Sequence, residues 1–446
     1  MKERFLEVIN NDSIDMSELK TLFIWLNIQD IIEIFNELDT KKTIQIFRIL
    51  PKAIATDLFA HIDSEQQRII IEALNDTEVS EIMGKLFVDD AVDFIEEMPA
   101  NVVHRVLRNV TPEKRAHINQ ILQYPEDSAG SIMTTEFVNL RENNTVKEAF
   151  EIIRNTGLNK ETIYTCYVIS WDRILLGVVS AKSLMLASPK ETIKEIMITH
   201  PIFVHTTDDQ EAVADLFQRY DFLAMPVVDK EERLVGIITV DDIVDVIIEE
   251  HTEDIEKMGA LSPSDEPYLK TGIIRLARNR IVWLLILMLS ATITGQIIIS
   301  FEHSLAALPI LMAFIPMLMD TAGNSGAQAS TLIIRGMALG EIQLKNIFVV
   351  LWKEIRVGVL CGLALGLVNL VRVYIMNGRD FMLSLTITLS LFFTILMAKS
   401  VGCLLPQLAR RLKIDPAIMA APMITTIVDA LALIVYFSMA KLIFGI

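Results

Sequence analysis

The sequence predicts a multidomain protein: an all-α cytosolic superhelical domain, an α/β domain built as a tandem repeat, and an α-helical transmembrane domain of five spans. Three observations predict it. Charge and apolarity separate along the chain, helix-capping residues recur about every 12 positions through the first 125 residues, and five long apolar stretches follow residue 280. The expected divisions are 1–127 for the helical domain and 128–250 for the repeat, its halves at 128–190 and 191–250. A connecting helix and linker over 243–268 and a membrane domain over 269–446 complete the chain.

Mean hydropathy is +0.42 with 22% charged residues, too apolar for an ordinary soluble protein of that charge. Residues 1–270 hold 26 Lys and Arg against 50 Asp and Glu; residues 271–446 hold 14 against 7. The acidity therefore belongs to the first half, which argues for cations and against nucleic acid as partners. Met1-Lys2-Glu3-Arg4 is polar and leads into an amphipathic stretch, so no signal peptide is expected. Cys166, Cys361 and Cys403 are scattered and odd in number, and the seven histidines have no zinc-enzyme spacing. A disulfide framework and a zinc site are both excluded on that pattern, and a cytosolic first half fits it.

In the helical domain, Asp39-Thr40, Pro51, Asp63-Ser64, Asp76-Thr77, Asp89-Asp90, Pro99 and Thr111-Pro112 each precede an apolar pattern of helical period. Short helices at a regular step predict a small superhelix, which is a scaffold rather than an enzyme. Residues 132–250 then repeat. The first copy runs from Ile132-Met133-Thr134 through helical Val146–Arg154 to Leu176-Gly177-Val178-Val179-Ser180. The second runs from Ile196-Met197 through helical Ala212–Arg219 to Gly236-Ile237-Ile238-Thr239-Val240-Asp241. This resembles a tandem CBS pair, a regulatory module that often binds adenine nucleotides such as ATP. Gly236, Thr239 and Asp241 are the candidates for holding a ribose; the first copy lacks the Asp, and a purely structural pair is the alternative. A helix from Ile243 to Ala260 joins this domain to the membrane part, and Ser262–Pro267 ends it.

Ile281–Ser300 is a charge-free run of about 20 residues, long enough to cross the hydrocarbon core. Further spans are expected over Leu305–Ile334, Ile347–Ile375, Phe381–Leu405 and Ala417–Phe444. Basic residues cluster before span one, between two and three, and between four and five. Five spans put all three clusters on the cytosolic side with the acidic head, and the C-terminus outside. The expected place is the plasma or inner membrane, in contact with lipid.

Spans two and five are not uniformly apolar. Span two carries Pro316 to Asp320, then Gly323-Asn324-Ser325-Gly326 and Gln328; span five carries Pro422, Thr425, Thr426 and Asp429. Mid-span glycines mean either close helix approach or an opened helix. A carboxylate at mid-membrane costs about 2.5–3.5 kcal/mol on insertion scales, so Asp429 is read as lining a water-filled path. The alternative is a structural partner for Lys399 or for a hydroxyl. Asp320 is either a second pore acid or a residue at a helix break or mouth; Glu354 is read as an interface or capping residue. Mg²⁺ suits so sparse a site, because it keeps its waters and is held through one or two carboxylates.

Taken together, these motifs resemble the MgtE family of magnesium channels over essentially the whole chain. The span-two and span-five signatures carry the resemblance, together with Asp415-Pro416-Ala417 before span five. Ala322 departs from it, standing where the family commonly has a glycine. The resemblance implies a homodimer with its pore on the two-fold axis, lined by Gly323, Asn324, Gly326, Thr425 and Asp429. Asp429 would be the ion-selecting carboxylate. It further implies Mg²⁺ sites among the cytosolic acids Asp57, Asp89, Asp93, Asp209, Glu211, Asp221, Asp242, Asp245, Glu250, Glu253 and Asp254. Their loading would compact the head and close the channel. Two other classes compete: an ion-coupled divalent-cation carrier, and a CBS-regulated membrane receptor. No nucleophile–base pair or phosphate loop supports an enzyme.

Overall fold

The computed structural model describes residues 26–264, 268–269, 271–376, 378 and 380–445. The first 25 residues of the expected helical domain, and 265–267 of the linker, lie outside them. The chain divides into two compact units, residues 1–247 and 248–446.

The first unit opens with short helices: α1 (Ile28–Glu37), α2 (Thr40–Ile49), α3 (Lys52–His61), α4 (Ser64–Ala73), α5 (Asp76–Lys85), α6 (Val88–Glu96), α7 (Ala100–Asn109) and α8 (Pro112–Ile121). Side-chain caps set the starts of α2, α4, α5 and α8. Asp39 accepts from Lys42 N at 2.8 Å and Asp63 from Gln66 N at 3.0 Å. Asn75 and Glu78 form a reciprocal capping box, and Thr111 caps a helix with Pro112 in its first turn. Most of them pack on the second one along, α1 on α3, α2 on α4, α3 on α5, α5 on α7 and α6 on α8. Ten-residue helices are too short to be stable alone. A shared core holds them, with Phe35, Phe59, Phe94 and Val106 fully buried and the Phe59 and Phe94 rings 5.2 Å apart.

The repeat follows as β1 (Phe137–Leu140), α9 (Val146–Thr156), β2 (Thr162–Ile169), β3 (Leu175–Ser180), α10 (Ala181–Leu186), α11 (Ile193–Ile196), β4 (Ile198–Thr199), β5 (Val204–His205), α12 (Gln210–Tyr220), β6 (Ala224–Val228) and β7 (Leu234–Thr239). In each copy a parallel pair is followed by an antiparallel one: β1 with β2 then β2 with β3, β5 with β6 then β6 with β7. The segment opening each copy pairs with the other copy's sheet. Thr134 exchanges two hydrogen bonds with Ile237, at 2.8 and 2.9 Å, and β4 pairs with β3. Each crossing needs a glycine. A Cβ on Gly177 would lie 2.6 Å from Ile198 O, and one on Gly236 would lie 2.8 Å from Thr134 O. A small core of Phe137, Tyr167, Ile169, Leu234 and Ile237 joins the copies. From β7 the chain enters α13 (Val240–Met258), whose Ile243 and Val246 are buried.

The second unit contains α14 (Ile273–Ser300), a short α15 (Glu302–Ala307), α16 (Ile315–Ala338), α17 (Ile347–Met376), α18 (Phe381–Arg411) and α19 (Ala421–Phe444). Among the described residues, four helices are long and apolar enough to cross a membrane: α14, α17 with the turn before it, α18 and α19. The 24-residue α16 is the polar exception. It starts later than the expected span two, after a 3₁₀ turn over Pro309–Phe314, and it is continuous through its glycines. The opened-helix alternative is therefore not what these glycines serve. Likewise α18 runs on through Pro406, beyond the expected end at Leu405.

Glycine lets α16 press into its neighbours. A Cβ on Gly402 of α18 would fall directly on the Gly326 carbonyl oxygen, and one on Gly326 would lie 2.8 Å from Ile424 Cγ2. Two long-range hydrogen bonds brace the same helices: Ser330 Oγ donates to Met419 O at 2.8 Å, and buried Tyr436 OH to Leu311 O at 2.9 Å. Gly402→Ala should therefore force these helices apart and lower stability by about 1–3 kcal/mol. Gly295→Ala, where nothing lies within 4 Å, should be harmless. Thermal unfolding in detergent checks the pair.

Candidate functional site

The membrane part of the site is the seam between α16 and α19. Gly323 is buried against Thr425: a Cβ there would be 2.9 Å from Thr425 Cγ2 and 3.8 Å from Asp429 Oδ1. The missing side chain thus brings the α16 backbone beside the acid of α19. One residue on, Asn324 is exposed and donates from Nδ2 to Asp320 Oδ1 at 3.2 Å. Asp320 lies one turn inside a continuous helix, so it marks no helix break. Thr425 and Thr426 both give their hydroxyl protons to Pro422 O, at 3.0 and 2.9 Å. Their oxygens keep lone pairs free for a further donor, such as an ion's water.

Ala322 is fully buried in an apolar cluster with Ala398, Ile424, Val428 and Ala432. Its methyl fills the side of α16 adjoining α18 and α19, and the close approach at Gly323 persists. Lys399, 5% exposed, lays its stem on Gly358 of α17, its Cδ 3.6 Å from that glycine's Cβ position. Among the described residues no ion pair joins Lys399 to Asp429, so Asp429 is not held as that lysine's structural partner.

In the first unit, the cytosolic acids fall into two kinds. Asp57, Asp93, Asp209, Glu211, Asp221 and Asp245 are exposed. Asp209 caps α12 by accepting from Glu211 N at 2.9 Å, and Asp221 ends that helix in the left-handed conformation at φ 53°. Asp89 and Asp242 are the other kind. Asp89, 8% exposed in the first turn of α6, is buried and faces the charge of Asp242, and its carboxyl is pushed well above the usual range. Burial pushes Asp242 up to about 6, against the hydrogen bond it receives from Thr239 Oγ1 at 2.6 Å. Burial and repulsion from Asp242 and Asp90 push Glu161 up to about 8, and its Oε2 is buried without a partner. Glu161 and Asp90 were not singled out from the sequence. Glu161 sits in a loop with no motif around it, and only the Asp89-Asp90 doublet was visible, as a helix start.

Among the described residues no three His, Cys, Asp or Glu side chains are gathered closely enough to hold a bare metal ion. Buried carboxylates that repel one another, one with an orphaned oxygen, nonetheless fit a divalent cation held partly through water. Gly236 is occupied by the crossing strand and Thr239 by Asp242, whereas Asp241 is exposed at the start of α13.

In the second unit, the end of α13 meets the loop before α19. Lys257 Nζ lies 2.7 Å from Asp415 Oδ2 and 2.7 Å from Glu253 Oε1. Although burial opposes it, these hydrogen bonds push the ammonium above its ordinary value. Asp254 is pushed up by burial and by Asp415. Asp415 also caps the following turn by accepting from Ala417 N at 2.8 Å.

Carboxyls raised by folding favour the fold while protonated. That contribution fades as pH climbs from the ordinary carboxylate range through about 6 for Asp242 and about 8 for Glu161. In Mg²⁺-free buffer, Glu161→Gln should raise the unfolding midpoint of the head clearly at pH about 8.5 and far less at pH about 5. Added Mg²⁺ should recover most of that difference in the unmutated chain. Calorimetry of the full chain in detergent reads both.

Comparisons with known proteins bear on the family and its domains. Residues 26–127 match the MgtE intracellular N domain, 129–190 and 193–249 match CBS domains, and 315–439 match the MgtE divalent cation transporter domain. The chain is 37% identical over 432 residues to magnesium transporter MgtE of Thermus thermophilus, covering 96% of this chain and 95% of that one. It is 34% identical to magnesium transporter MgtE of Bacillus subtilis, covering 92% and 90%. Among solved structures, the cytosolic domain of the Mg²⁺ channel MgtE in complex with ATP superposes with a TM-score of 0.52 at 34% identity. That match covers 55% of this chain and all of that domain. The soluble part of a magnesium transporter gives 0.53 at 33% identity, covering 56% of this chain and 97% of that one. The chain is a multi-pass membrane protein with an intracellular N-terminal domain, and it belongs to the MgtE family of magnesium transporters, which are not enzymes.

Proposed function

We propose that this chain is a Mg²⁺-selective channel that imports magnesium across the plasma or inner membrane and is closed by Mg²⁺ on its cytosolic side. Five helices span the membrane, α16 being the fifth, with the C-terminus outside. Two copies form the pore on their two-fold axis, each giving α16 and α19. The observation that supports the reading is the seam where Gly323 brings the α16 backbone beside Thr425 and Asp429. One carboxylate per chain, doubled by symmetry, suits a hydrated divalent ion.

Closure is attributed to the acidic head. Like charges repel by about 1 kcal/mol per pair at 4 Å in water, and by more where water is scarce. Mg²⁺ at Asp89 and Asp242, with Glu161 beside them, would replace repulsion by attraction. Further ions at the exposed acids Asp57, Asp93, Asp209, Glu211, Asp221 and Asp245, and at Glu250, Glu253 and Asp254 of α13, would act in the same sense. Several ions, each coupling by about 1–3 kcal/mol, reach the roughly 5.5 kcal/mol that a full population shift requires. An adenine nucleotide is proposed at the CBS pair, with Asp241 on the ribose, in line with the ATP-bound relative.

Flux into proteoliposomes under a Mg²⁺ gradient alone tests the channel and separates it from a coupled carrier. Asp429→Asn should abolish it. In the unmutated chain flux should fall as Mg²⁺ on the cytosolic face rises from micromolar to millimolar. Asp89→Asn with Asp242→Asn should keep flux high at millimolar Mg²⁺; closure unchanged in that double variant would refute the sensor.

A further inference from the structure

The exposed face of α16 is unlike that of any other long helix in the second unit. Asp320, Asn324, Gln328, Thr331 and Arg335 are all exposed, at steps of four, four, three and four residues. Such spacing keeps them on one face of a helix. Leu332 is the only large apolar residue exposed on α16. A lipid-facing helix shows the reverse pattern, as α14 does with Ile281, Leu284, Met288 and Leu289 exposed. Polar side chains in a row cannot face hydrocarbon, so this ladder lies against water along the length of the span.

The ladder has a polarity of its own. With the head cytosolic, Asp320 is at its outer end and Arg335 at its inner end. The Asn324 amide donates to one oxygen of Asp320 and leaves the other oxygen unclaimed by any described side chain. A carboxylate steadied in this way, one turn outside the Gly323–Asp429 contact, is the first fixed negative charge that an entering cation meets on α16.

We propose that Asp320 is the capture residue of the outer mouth. It binds the hydrated divalent cation through its waters and passes it to Asp429, and so sets how little external Mg²⁺ suffices for transport. The inference rests on the pore reading above and adds to it a second carboxylate with a different task. Asp429 acts on ions already in the pathway, whereas Asp320 governs their entry from outside.

The test is the initial rate of Mg²⁺ entry into proteoliposomes holding the full chain, measured against external Mg²⁺. Asp320→Asn is expected to raise the half-saturating external concentration roughly ten-fold, in the range that a focusing charge supplies. The rate at saturating Mg²⁺ should stay close to that of the unmutated chain. Added monovalent salt should shrink the difference, and Asp320→Glu should restore the unmutated value. For Mg²⁺ driven outward from the cytosolic face, half-saturation should not move. An unchanged external half-saturation in Asp320→Asn would overturn the proposal, as would loss of rate at every concentration in both the Asn and Glu variants. Asp429→Asn runs alongside as the control: if it conducts normally, the pore reading itself fails, whatever Asp320 does.

Discussion

Backbone packed on backbone is the constraint on which the membrane half depends. Water drives apolar side chains together in a soluble core, but lipid tails offer no such drive, and helices in a bilayer must gain from tight fit and hydrogen bonding. Here Gly326 and Gly402 supply the fit between α16 and α18, and Gly323 supplies it between α16 and α19. Everything polar follows from that depth of contact. With α16 sunk against its neighbours, its small residues are consumed by packing. Its larger polar residues are left on the single face that no helix of the same chain covers. One helix thus combines close backbone packing with a hydrophilic exposed face.

The head is organised by charge rather than by fit. Its helices are ordinary, capped and short, and their core would be stable in many arrangements of surface charge. What is unusual is the placing of Asp89, Asp242 and Glu161 where burial and mutual repulsion disfavour their charge. Such a cluster is a standing strain that protons or divalent cations relieve. At the other end of α13, Lys257 holds Glu253 and Asp415 together. An internal ammonium there does what an external cation would do among the acids of the first unit.

Much of this was legible in the sequence, for identifiable reasons. The 12-residue step of caps gave the helices of the head almost one by one, because a cap is a local interaction. The internal repeat was visible from its Leu-x-Gly strands. The polar signatures of spans two and five pointed to the seam between α16 and α19, since Asp429 has few bland explanations in a membrane. Less legible was whatever depends on distant parts meeting. Glu161 has no motif and gains its character only from Asp89, Asp90 and Asp242. The expected fourth span ends at Leu405, yet α18 continues through Pro406 to Arg411. The start of α16 was placed too early because apolar Leu305–Phe314 reads the same in a turn as in a helix. Nothing local distinguishes a strand that pairs within its own copy from one that crosses to the other.

That crossing bears on how the first unit comes into being. Thr134 completes the sheet of the later copy and β4 that of the earlier one, so each half lacks a border strand until its twin is present. A nascent chain that has emerged only as far as β3 would carry a bare strand edge, open to pairing with any neighbour. The two copies therefore make one cooperative folding unit despite their sequence repetition, and its last hydrogen bonds must wait until β7 has been synthesised.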